Sequence, residues 1–192
     1  GTNGGLSKFD YEDQSFSTYR NNPADLNSLG DNSVRSIIED RQTGLLWLGT
    51  RRGGVTVFDR ESGLFEQYRH NPDDPTSISN NAVNHIFQDS NDNLWISTRS
   101  GLNRFDKKTN SFMRFMHEPG QYSRSLKHDY VYQVHEDRLG RFWIATVGGL
   151  QLFDSLSSVF FQPQKSVYES LFRNVKVIVE DNTGAIWFGQ SN

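Results

Sequence analysis

The sequence predicts an all-β fold, a β-propeller of about four blades with four antiparallel strands in each blade. Each repeat contains one tryptophan in the same kind of segment, which consists of an acidic residue, a tight turn and then aromatic and apolar residues. The four tryptophans are spaced 48, 48 and 44 residues apart: Trp47, Trp95, Trp143 and Trp187. A repeat of roughly 40 to 50 residues is typical of one propeller blade. Between the tryptophans, short apolar segments alternate with Gly, Asn and Asp, which is the pattern of antiparallel strands joined by tight turns.

Each complete repeat divides into four predicted strands, which we name A to D. In the first complete repeat, strand A is VRSIIED, strand B is LLWLGT, strand C is GGVTVFD and strand D is FEQYR. These segments are rich in Val, Ile, Phe and Trp, which favour strands. Strand A is apolar at Val34, Ile37 and Ile38 without strict alternation. We expect this of an inner strand that neighbouring blades cover on both faces.

The later repeats follow the same order. The second reads VNHIFQD, SNDNLWIST, GLNRFD and SFMRF, and the third reads VYQVHED, RLGRFWIAT, GLQLFD and VFFQP. The fourth has only VKVIVED and NTGAIWFGQ, while the opening GGLSKFD and SFSTYR supplies the strands C and D that it lacks. Residues 1–192 are therefore predicted to be one propeller segment with repeats starting near residues 1, 49, 97 and 145. It consists of three complete blades and two complementary half blades, and it also fits an arc of a larger propeller.

The turn between strands A and B carries two repeated features. A residue suited to positive φ stands at each bend: Gly44, Asp92, Gly140 and Gly184. An aspartate precedes each turn: Asp40, Asp89, Asp137 and Asp181. Because they recur at one place in every repeat, we expect these aspartates to cap backbone N–H groups of the turn and not to form an acid or metal array. The run from Asp89 to Asn93 is similar to the start of a calcium loop but lacks its later glutamate, so no metal site is predicted.

Composition and charge narrow the classes of protein that fit. Aromatic residues make up 13% of the chain and recur at strand positions, which argues against disorder. The formal net charge of −3 argues against nucleic acid as a partner, because a protein surface that binds nucleic acid usually carries a stripe of basic residues. The chain has no cysteine, which excludes a disulfide scaffold. No apolar run approaches about 18 residues, so we expect membrane attachment only through segments outside this sequence.

Motifs of common catalytic chemistry are absent from the sequence. It has no G-x-S-x-G elbow, no Walker-type loop, no H-E-x-x-H and no cysteine nucleophile. We therefore predict no catalytic residue and no cofactor, and we expect this segment not to be an enzyme. The sequence begins without methionine or a signal peptide, so it is expected to be part of a longer protein.

The repeated pattern V-x-x-I-x-x-D, G-x-L-W-I-G-T, G-L-x-R-F-D, F-x-x-Y and N-P-x-D-x-x-S-L resembles the two-component regulator propeller repeat. The chain carries it at Asn71, Pro72, Asp74, Ser77, Ile78, Val83, Ile86, Asp89, Leu94, Trp95, Ile96, Thr98, Gly101, Leu102, Arg104, Phe105 and Asp106. The resemblance covers the whole chain. It implies the periplasmic sensor region of a membrane-bound signalling protein, such as a hybrid histidine kinase or a diguanylate cyclase, whose output motifs are not in this segment. The last D-to-A segment, QKSVYESLFRN, departs from the pattern, which puts the conformation of that loop in doubt.

Ligand-binding residues are expected where the long D-to-A loops meet the B-to-C turns on one face of the propeller. The least repeated positions of strand A lie there: Arg35, Asn84, Tyr132 and Lys176 at the second position, and His85 and Gln133 at the third. Arg51, Arg52 and Arg99 of the B-to-C turns could pair with an anionic ligand or with sugar hydroxyls. The alternatives for these residues are a solvated channel mouth and blade-to-blade hydrogen bonds. His135, at a strand position matched by apolar residues, is expected to be packed with one hydrogen bond.

Three classes of function remain open. The first is an extracytoplasmic sensor that binds a small extracellular molecule such as an oligosaccharide. The second is an enzyme, because streptogramin lyases have similar L-W-F-T and G-x-I-x-R-F-D phrases; His85 with Glu180 or Asp129 is the candidate cluster for a His and a metal-binding acid. The third is an assembly module that binds partner proteins or another copy of itself. Unpaired strand edges at the two half blades favour pairing, either within one chain or between two chains.

Overall fold

The computed structural model describes residues 1–121, 123–155, 157–161 and 173–191, and its regular structure is entirely β. Sixteen strands run through these residues: β1 (Leu6–Phe9), β2 (Phe16–Tyr19), β3 (Val34–Glu39), β4 (Leu46–Thr50), β5 (Val55–Phe58), β6 (Phe65–Tyr68), β7 (Val83–Gln88), β8 (Leu94–Thr98), β9 (Gly101–Asp106), β10 (Ser111–Phe115), β11 (Val131–Glu136), β12 (Phe142–Thr146), β13 (Gly149–Asp154), β14 (Val159–Phe161), β15 (Val175–Glu180) and β16 (Ile186–Gln190). No helix in this part of the chain is long and apolar enough to cross a membrane. Residues 164–172 of the divergent QKSVYESLFRN segment lie outside the described residues.

The strands form three antiparallel sheets of four consecutive strands, which we call the first blade (β3 to β6), the second blade (β7 to β10) and the third blade (β11 to β14). Strands β1 and β2 form the N-terminal half blade, and β15 and β16 form the C-terminal half blade. Strand A of the repeat is β3, β7, β11 or β15, and these inner strands contact one another in sequence order. The prediction of three complete blades and two complementary halves is confirmed. Among the described strands, the two half blades are separate two-stranded sheets.

Each pair of strands A and B is irregular at the same place. The register shifts between Val34 and Ser36 in the first blade, and equivalent shifts follow the first residue of β7, β11 and β15. A β-bulge leaves one residue unpaired and redirects its side chain. The bulged residues are the second positions of strand A: Arg35, Asn84, Tyr132 and Lys176.

The A-to-B turns have the backbone that the sequence predicts. All four bend residues adopt the left-handed backbone conformation, with φ of 72° at Gly44, 63° at Asp92, 74° at Gly140 and 88° at Gly184. Asp89 shows how the turn is held: its Oδ1 accepts hydrogen bonds from the Asn91 and Asn93 backbone N–H groups at 3.0 and 2.8 Å. Asp40, Asp137 and Asp181 also accept bonds from backbone N–H groups of their turns. The predicted capping role is therefore confirmed.

The aspartates also anchor the repeated tryptophans, which the sequence did not reveal. Trp95 Nε1 donates to Asp89 Oδ2 at 2.8 Å, and Trp143 and Trp187 donate to Asp137 and Asp181 in the same way. The first blade differs, because Lys107 Nζ lies 3.1 Å from Asp40 Oδ2 and the Trp47 indole N–H is buried without a partner among the described residues.

The core lies between blades, as expected for structural tryptophans. Trp95 of the second blade is fully buried and packs on Phe142 and Phe153 of the third blade, with ring centroids 4.8 and 5.6 Å apart. Trp47 packs on Phe105 of the second blade in the same manner. Burial of one large apolar side chain contributes on the order of 1.5–3 kcal/mol, so these interfaces hold the blades together.

Candidate ligand-binding rim

The bulged side chains of strand A form the centre of the predicted site. We define the rim as these four residues together with the arginines of the neighbouring B-to-C turns and one added tyrosine: Arg35, Asn84, Tyr132, Lys176, Arg51, Arg52, Arg99 and Tyr130. The bulge explains why position two of strand A can vary between repeats, since its side chain leaves the alternation that packs the sheet.

The rim residues contact one another across blades. Arg35 Nη1 donates to Asn84 Oδ1 at 2.9 Å, and Asn84 Nδ2 donates to the Val131 carbonyl at 2.7 Å. Tyr132 Oη donates to Asn174 Oδ1 at 2.9 Å, while Lys176 Nζ lies 5.8 Å from the Tyr132 ring centroid. The four bulged residues, which the sequence analysis predicted as ligand-binding residues, thus form a series from the first blade to the C-terminal half blade. The alternative of blade-to-blade hydrogen bonding applies to Asn84 on both of its sides.

Cations concentrate along this series. The pKa of Arg35 is lowered, first by burial and also by the positive charges of Arg99 and Arg51, while the charges of Tyr130 and Asp31 act to raise it. Arg52 is exposed in the same turn as Arg51.

Tyr130 is a rim residue that the sequence analysis missed. The Arg99 guanidinium lies 5.8 Å from the Tyr130 ring centroid, and the rings of Tyr130 and Tyr132 are 4.6 Å apart. Two adjacent aromatic rings therefore lie between the cations Arg99 and Lys176. The signal in the sequence was the aromatic residue immediately before strand A of the third repeat, where the other repeats have Ser33, Ala82 and Asn174.

The rim cations are not neutralised by the protein. Among the described residues, Arg35, Arg51, Arg52, Arg99 and Lys176 take part in none of the ion pairs. The five rim cations thus lack an acidic partner in a chain whose net charge is −3. Such a surface attracts anions and can hold a carboxylate or sulfate through bidentate arginine contacts.

The third position of strand A mainly connects blades. Gln133 accepts a hydrogen bond from the Ile178 N–H at 3.0 Å and donates to the Ile178 carbonyl at 3.1 Å. Ser36 Oγ accepts from the Ile86 N–H at 2.9 Å. His85 occupies the same position in the second blade, but its Nδ1 is buried without a partner in the part of the chain that the structure describes. Burial, and then the nearby His135, lowers the pKa of His85 to about 4.

The candidate histidine and acid of a lyase do not meet as the sequence suggested. Glu180 lies beside His135, with 3.9 Å between His135 Nε2 and Glu180 Oε2, and it also accepts from Arg138 Nε at 2.7 Å. Asp129 Oδ1 accepts from the His117 backbone N–H at 2.7 Å. His135 is partly buried as expected, although its Nε2 has no hydrogen-bond partner among the described residues. That part of the chain holds no group of three His, Cys, Asp or Glu side chains placed to bind a metal ion.

A second blade connector lies at the opposite channel mouth. In three repeats, the residue before the repeated aspartate accepts a hydrogen bond from the residue after the aspartate of the preceding blade. Gln88 accepts from the Arg41 N–H at 3.0 Å, Glu136 from the Ser90 N–H at 2.6 Å, and Glu180 from the Arg138 N–H at 3.0 Å. The recurrence of Glu or Gln before the aspartate was the signal for this connector in the sequence.

The mouth formed by these connectors differs from the rim in charge. An open cleft of about 620 Å³ lies there, and its lining includes Arg41, Phe87, Gln88, Glu136, Arg138 and Glu180. Both arginines are paired there: Arg41 with Asp92 at 3.1 Å and Arg138 with Glu180 at 2.7 Å. Free positive charge is therefore a property of the rim and not of this mouth.

Comparison with solved structures shows the fold. The chain is similar to a structure described as the extracellular domain of a hybrid two-component system from B. thetaiotaomicron, with 22% identity and a TM-score of 0.63 over 98% of this chain and 30% of that chain. It is also similar to PorZ, a surface component of the type-IX secretion system of Porphyromonas gingivalis (19%, TM-score 0.68, 99% and 28%), and to virginiamycin B lyase from Staphylococcus aureus (13%, TM-score 0.64, 98% and 57%). The chain thus spans about a third of the two-component structure.

Comparison with protein families identifies the repeats. No curated protein matches the chain. A model of the two-component regulator propeller family matches residues 28–52, 77–100 and 125–148, each of which runs from the end of a D-to-A loop through strands A and B. Three segments of the chain therefore match the two-component regulator propeller repeat, and the chain folds as a partial β-propeller.

Proposed function

We propose that this chain is a periplasmic sensor segment of a bacterial signal-transduction receptor, a hybrid histidine kinase or a diguanylate cyclase, and that its rim binds a small anionic extracellular ligand. The regulator propeller repeats and the similarity to extracellular domains of two-component systems support the sensor class. An acidic oligosaccharide is the ligand class that best fits the rim.

The observation that carries this proposal is the set of five rim cations without an ion pair, together with two tyrosines. Guanidinium groups bind carboxylates and sulfates with two parallel hydrogen bonds, which a lysine cannot reproduce. Tyrosine rings offer rigid apolar faces with a polar end, at a small cost in conformational entropy. A ligand with several negative charges on flat, partly apolar rings would satisfy both features of the rim.

The contacts between rim residues suggest how binding is transmitted. Because Arg35 is bonded to Asn84, and Asn84 to the backbone of the third blade, a ligand that engages Arg35 competes with a blade-to-blade bond. Lys176 likewise connects the C-terminal half blade to Tyr132 of the third blade. Binding at the rim therefore favours one arrangement of neighbouring blades over another, and only such differential affinity can shift a conformational equilibrium.

The test compares an acidic with a neutral saccharide. We expect trigalacturonate to raise the thermal midpoint as its concentration rises, and maltotriose to leave it unchanged. The Arg99→Gln, Lys176→Gln double variant should bind trigalacturonate at least about tenfold more weakly, since each lost charged contact costs about 1.5–3 kcal/mol. Arg60→Gln is the matched control, because Arg60 is exposed in the turn after β5 and contacts Glu39 and the Gly44 carbonyl at the A-to-B turn.

Two results would count against the proposal. Equal binding of both saccharides, or unchanged binding by the double variant, would remove the rim as the site. No midpoint shift with trigalacturonate or with a sulfated disaccharide would remove acidic saccharides as the ligand class. Turnover of either saccharide would instead favour an enzyme, which is supported by the similar sequence phrases and by the similarity of fold to streptogramin lyases.

A further inference from the structure

Two buried polar atoms belong to facing residues of strands A and B in the second blade. His85 and Ser97 are direct cross-strand partners in the register of β7 and β8. Among the described residues, neither His85 Nδ1 nor Ser97 Oγ has a hydrogen-bond partner, and Ser97 is fully buried. Buried polar atoms of proteins are nearly always bonded to another protein group or to an ordered water molecule. This pair therefore points to a bound partner.

The combination of an imidazole and a hydroxyl at these two positions is peculiar to the second blade. In the other repeats the residue of strand B has no polar side chain, and the equivalent pairs are Ser36 with Gly49, Gln133 with Ala145 and Val177 with Gly189. The polar pair is therefore a property of the junction between the second and third blades and not of the repeat.

A direct connector between blades is missing at the same junction. At the junctions on either side, Ser36 and Gln133 accept the backbone N–H of the next strand A, at Ile86 and Ile178. Val134 is the equivalent residue of the third blade, by its place in the pairing of strands A and B. In the part of the chain that the structure describes, the imidazole of the second blade makes no such bond. The Val134 N–H thus lacks the side-chain acceptor that its equivalents have.

The separation and the chemistry of these groups suit a single water molecule. Cross-strand partners have Cβ atoms about 4.5–5.5 Å apart, and two hydrogen bonds of about 2.8 Å through one water span a similar distance. Burial, and then the nearby His135, lowers the pKa of His85 to about 4, so the ring is neutral at pH 7 and one of its nitrogens is an acceptor. A buried water usually makes about three hydrogen bonds.

We propose that a buried water molecule binds between the second and third blades, at His85 Nδ1, Ser97 Oγ and the Val134 N–H. The water accepts hydrogen bonds from the Val134 N–H and the Ser97 hydroxyl and donates one to the unprotonated Nδ1 of His85. It takes the place of the side-chain connectors at the neighbouring junctions. Asn84, the residue before His85, donates to the Val131 carbonyl across the same junction at 2.7 Å. The water and this rim side chain therefore hold the same two blades together.

The first test is a crystal structure of the intact chain at a resolution that shows ordered water. We expect one water within hydrogen-bond distance of His85 Nδ1, Ser97 Oγ and the Val134 nitrogen. In the His85→Gln variant we expect no water there, because the new amide bonds directly to Val134 as Gln133 bonds to Ile178. No water at these three atoms of the unaltered chain, or a direct hydrogen bond between His85 and Ser97, would overturn the proposal.

The second test uses the sign of a change in thermal stability. Ser97→Ala should lower the thermal midpoint of the unaltered chain by about 2–4 °C, because the water loses one of its hydrogen bonds. In the His85→Gln background the water is displaced and the hydroxyl has no partner, so Ser97→Ala should leave the midpoint unchanged or raise it. The double variant carries the same pair of residues that the third blade has at Gln133 and Ala145. The fold therefore already accommodates this combination.

A serine of the turn after strand B is the control for this comparison. Ser100→Ala should change the midpoint equally in both backgrounds, because Ser100 follows β8 and is not part of the strand pair. A rise of the midpoint on Ser97→Ala in the unaltered chain would mean that the hydroxyl has no partner there. Equal shifts on Ser97→Ala in the two backgrounds would mean that Ser97 and His85 share no water. Either result would overturn the proposal.

Discussion

The second blade and the C-terminal half blade contain the same repeat in two surroundings. Trp95 and Trp187 both donate to the aspartate six residues earlier, at 2.8 and 2.6 Å, and both lie on a strand B paired with strand A. Yet the first tryptophan is buried between blades and the second is mostly exposed. The comparison teaches that each repeat forms its turn and its pair of strands A and B from its own residues, whereas the burial of its tryptophan depends on the next blade.

The same separation between contacts within a repeat and contacts between repeats is found in repeat proteins in general. Their stability is approximately a sum of terms within repeats and terms between nearest neighbours. A terminal half blade keeps the first kind of term and loses part of the second. The chain should therefore open most readily at its ends, where regions of low local stability concentrate.

The largest expected effect is the difference in the free energy of unfolding between alanine variants of the two tryptophans. Trp95→Ala should lower the free energy of unfolding by about 3–5 kcal/mol, because it leaves a cavity among the packed rings of two blades. Trp187→Ala should cost less than about 1 kcal/mol in the monomer, because little surface is uncovered. Urea unfolding at a concentration where sedimentation shows monomer measures both. Equal costs would mean that the half blade is packed in solution in a way that this structure lacks.

The second prediction compares His85 with its equivalent Gln133. The pKa of His85 is lowered to about 4 from 6.5, so its contribution to stability is complete above pH 6.5 and is lost as pH falls toward 4. This loss amounts to as much as about 3 kcal/mol. His85→Gln should remove this part of the pH dependence.

Chemical denaturation at pH 7.0, 5.5 and 4.5 measures the effect of His85. His128→Gln, at an exposed residue of the third D-to-A loop, is the control and should keep the unaltered pH profile. An unchanged profile in His85→Gln would assign the pH dependence to other groups.

The third prediction compares two turn aspartates. Asp89→Ala should destabilise the fold by about 1–3 kcal/mol, because buried donors including the Trp95 indole N–H lose their acceptor. Asp181→Ala should have a smaller effect on unfolding, since its turn and Trp187 are exposed to water that can replace the carboxylate. Thermal unfolding of both variants measures the difference. A larger loss of stability in Asp181→Ala than in Asp89→Ala would contradict the view that burial determines how much this hydrogen bond contributes to stability.

The smallest expected effect is at the surface of the first blade. Arg60 and Glu39 form an ion pair at 2.8 Å with both side chains about half exposed. Such pairs contribute roughly 0–1 kcal/mol, so Arg60→Gln should leave the unfolding midpoint nearly unchanged at 0.15 M salt. A clear loss in urea unfolding would indicate that Glu39 needs a cation even without a neighbouring blade.

The sequence was sufficient for features that lie within one repeat. Strands, turns and the capping aspartates depend on local residues such as Gly44 and Asp89, so pattern and turn chemistry predicted them. Features between repeats were missed for a physical reason. The bond from Arg41 to Gln88 joins residues of different blades. The bulge at Arg35 lies within one blade, but it depends on how strand A pairs with strand B, which the residue pattern of either strand alone does not specify. Tyr130 joins the rim only because neighbouring loops converge in space.

The bulge at the second position of strand A has a consequence for how this protein can diversify. A side chain that leaves the alternation of the sheet can be exchanged without repacking either face, because it contributes little to the apolar core. In this chain Arg, Asn, Tyr and Lys occupy that position in successive repeats on the same backbone. The charge and polarity of the rim can thus change, by evolution or by engineering, through substitution at one site in each blade while the scaffold stays constant.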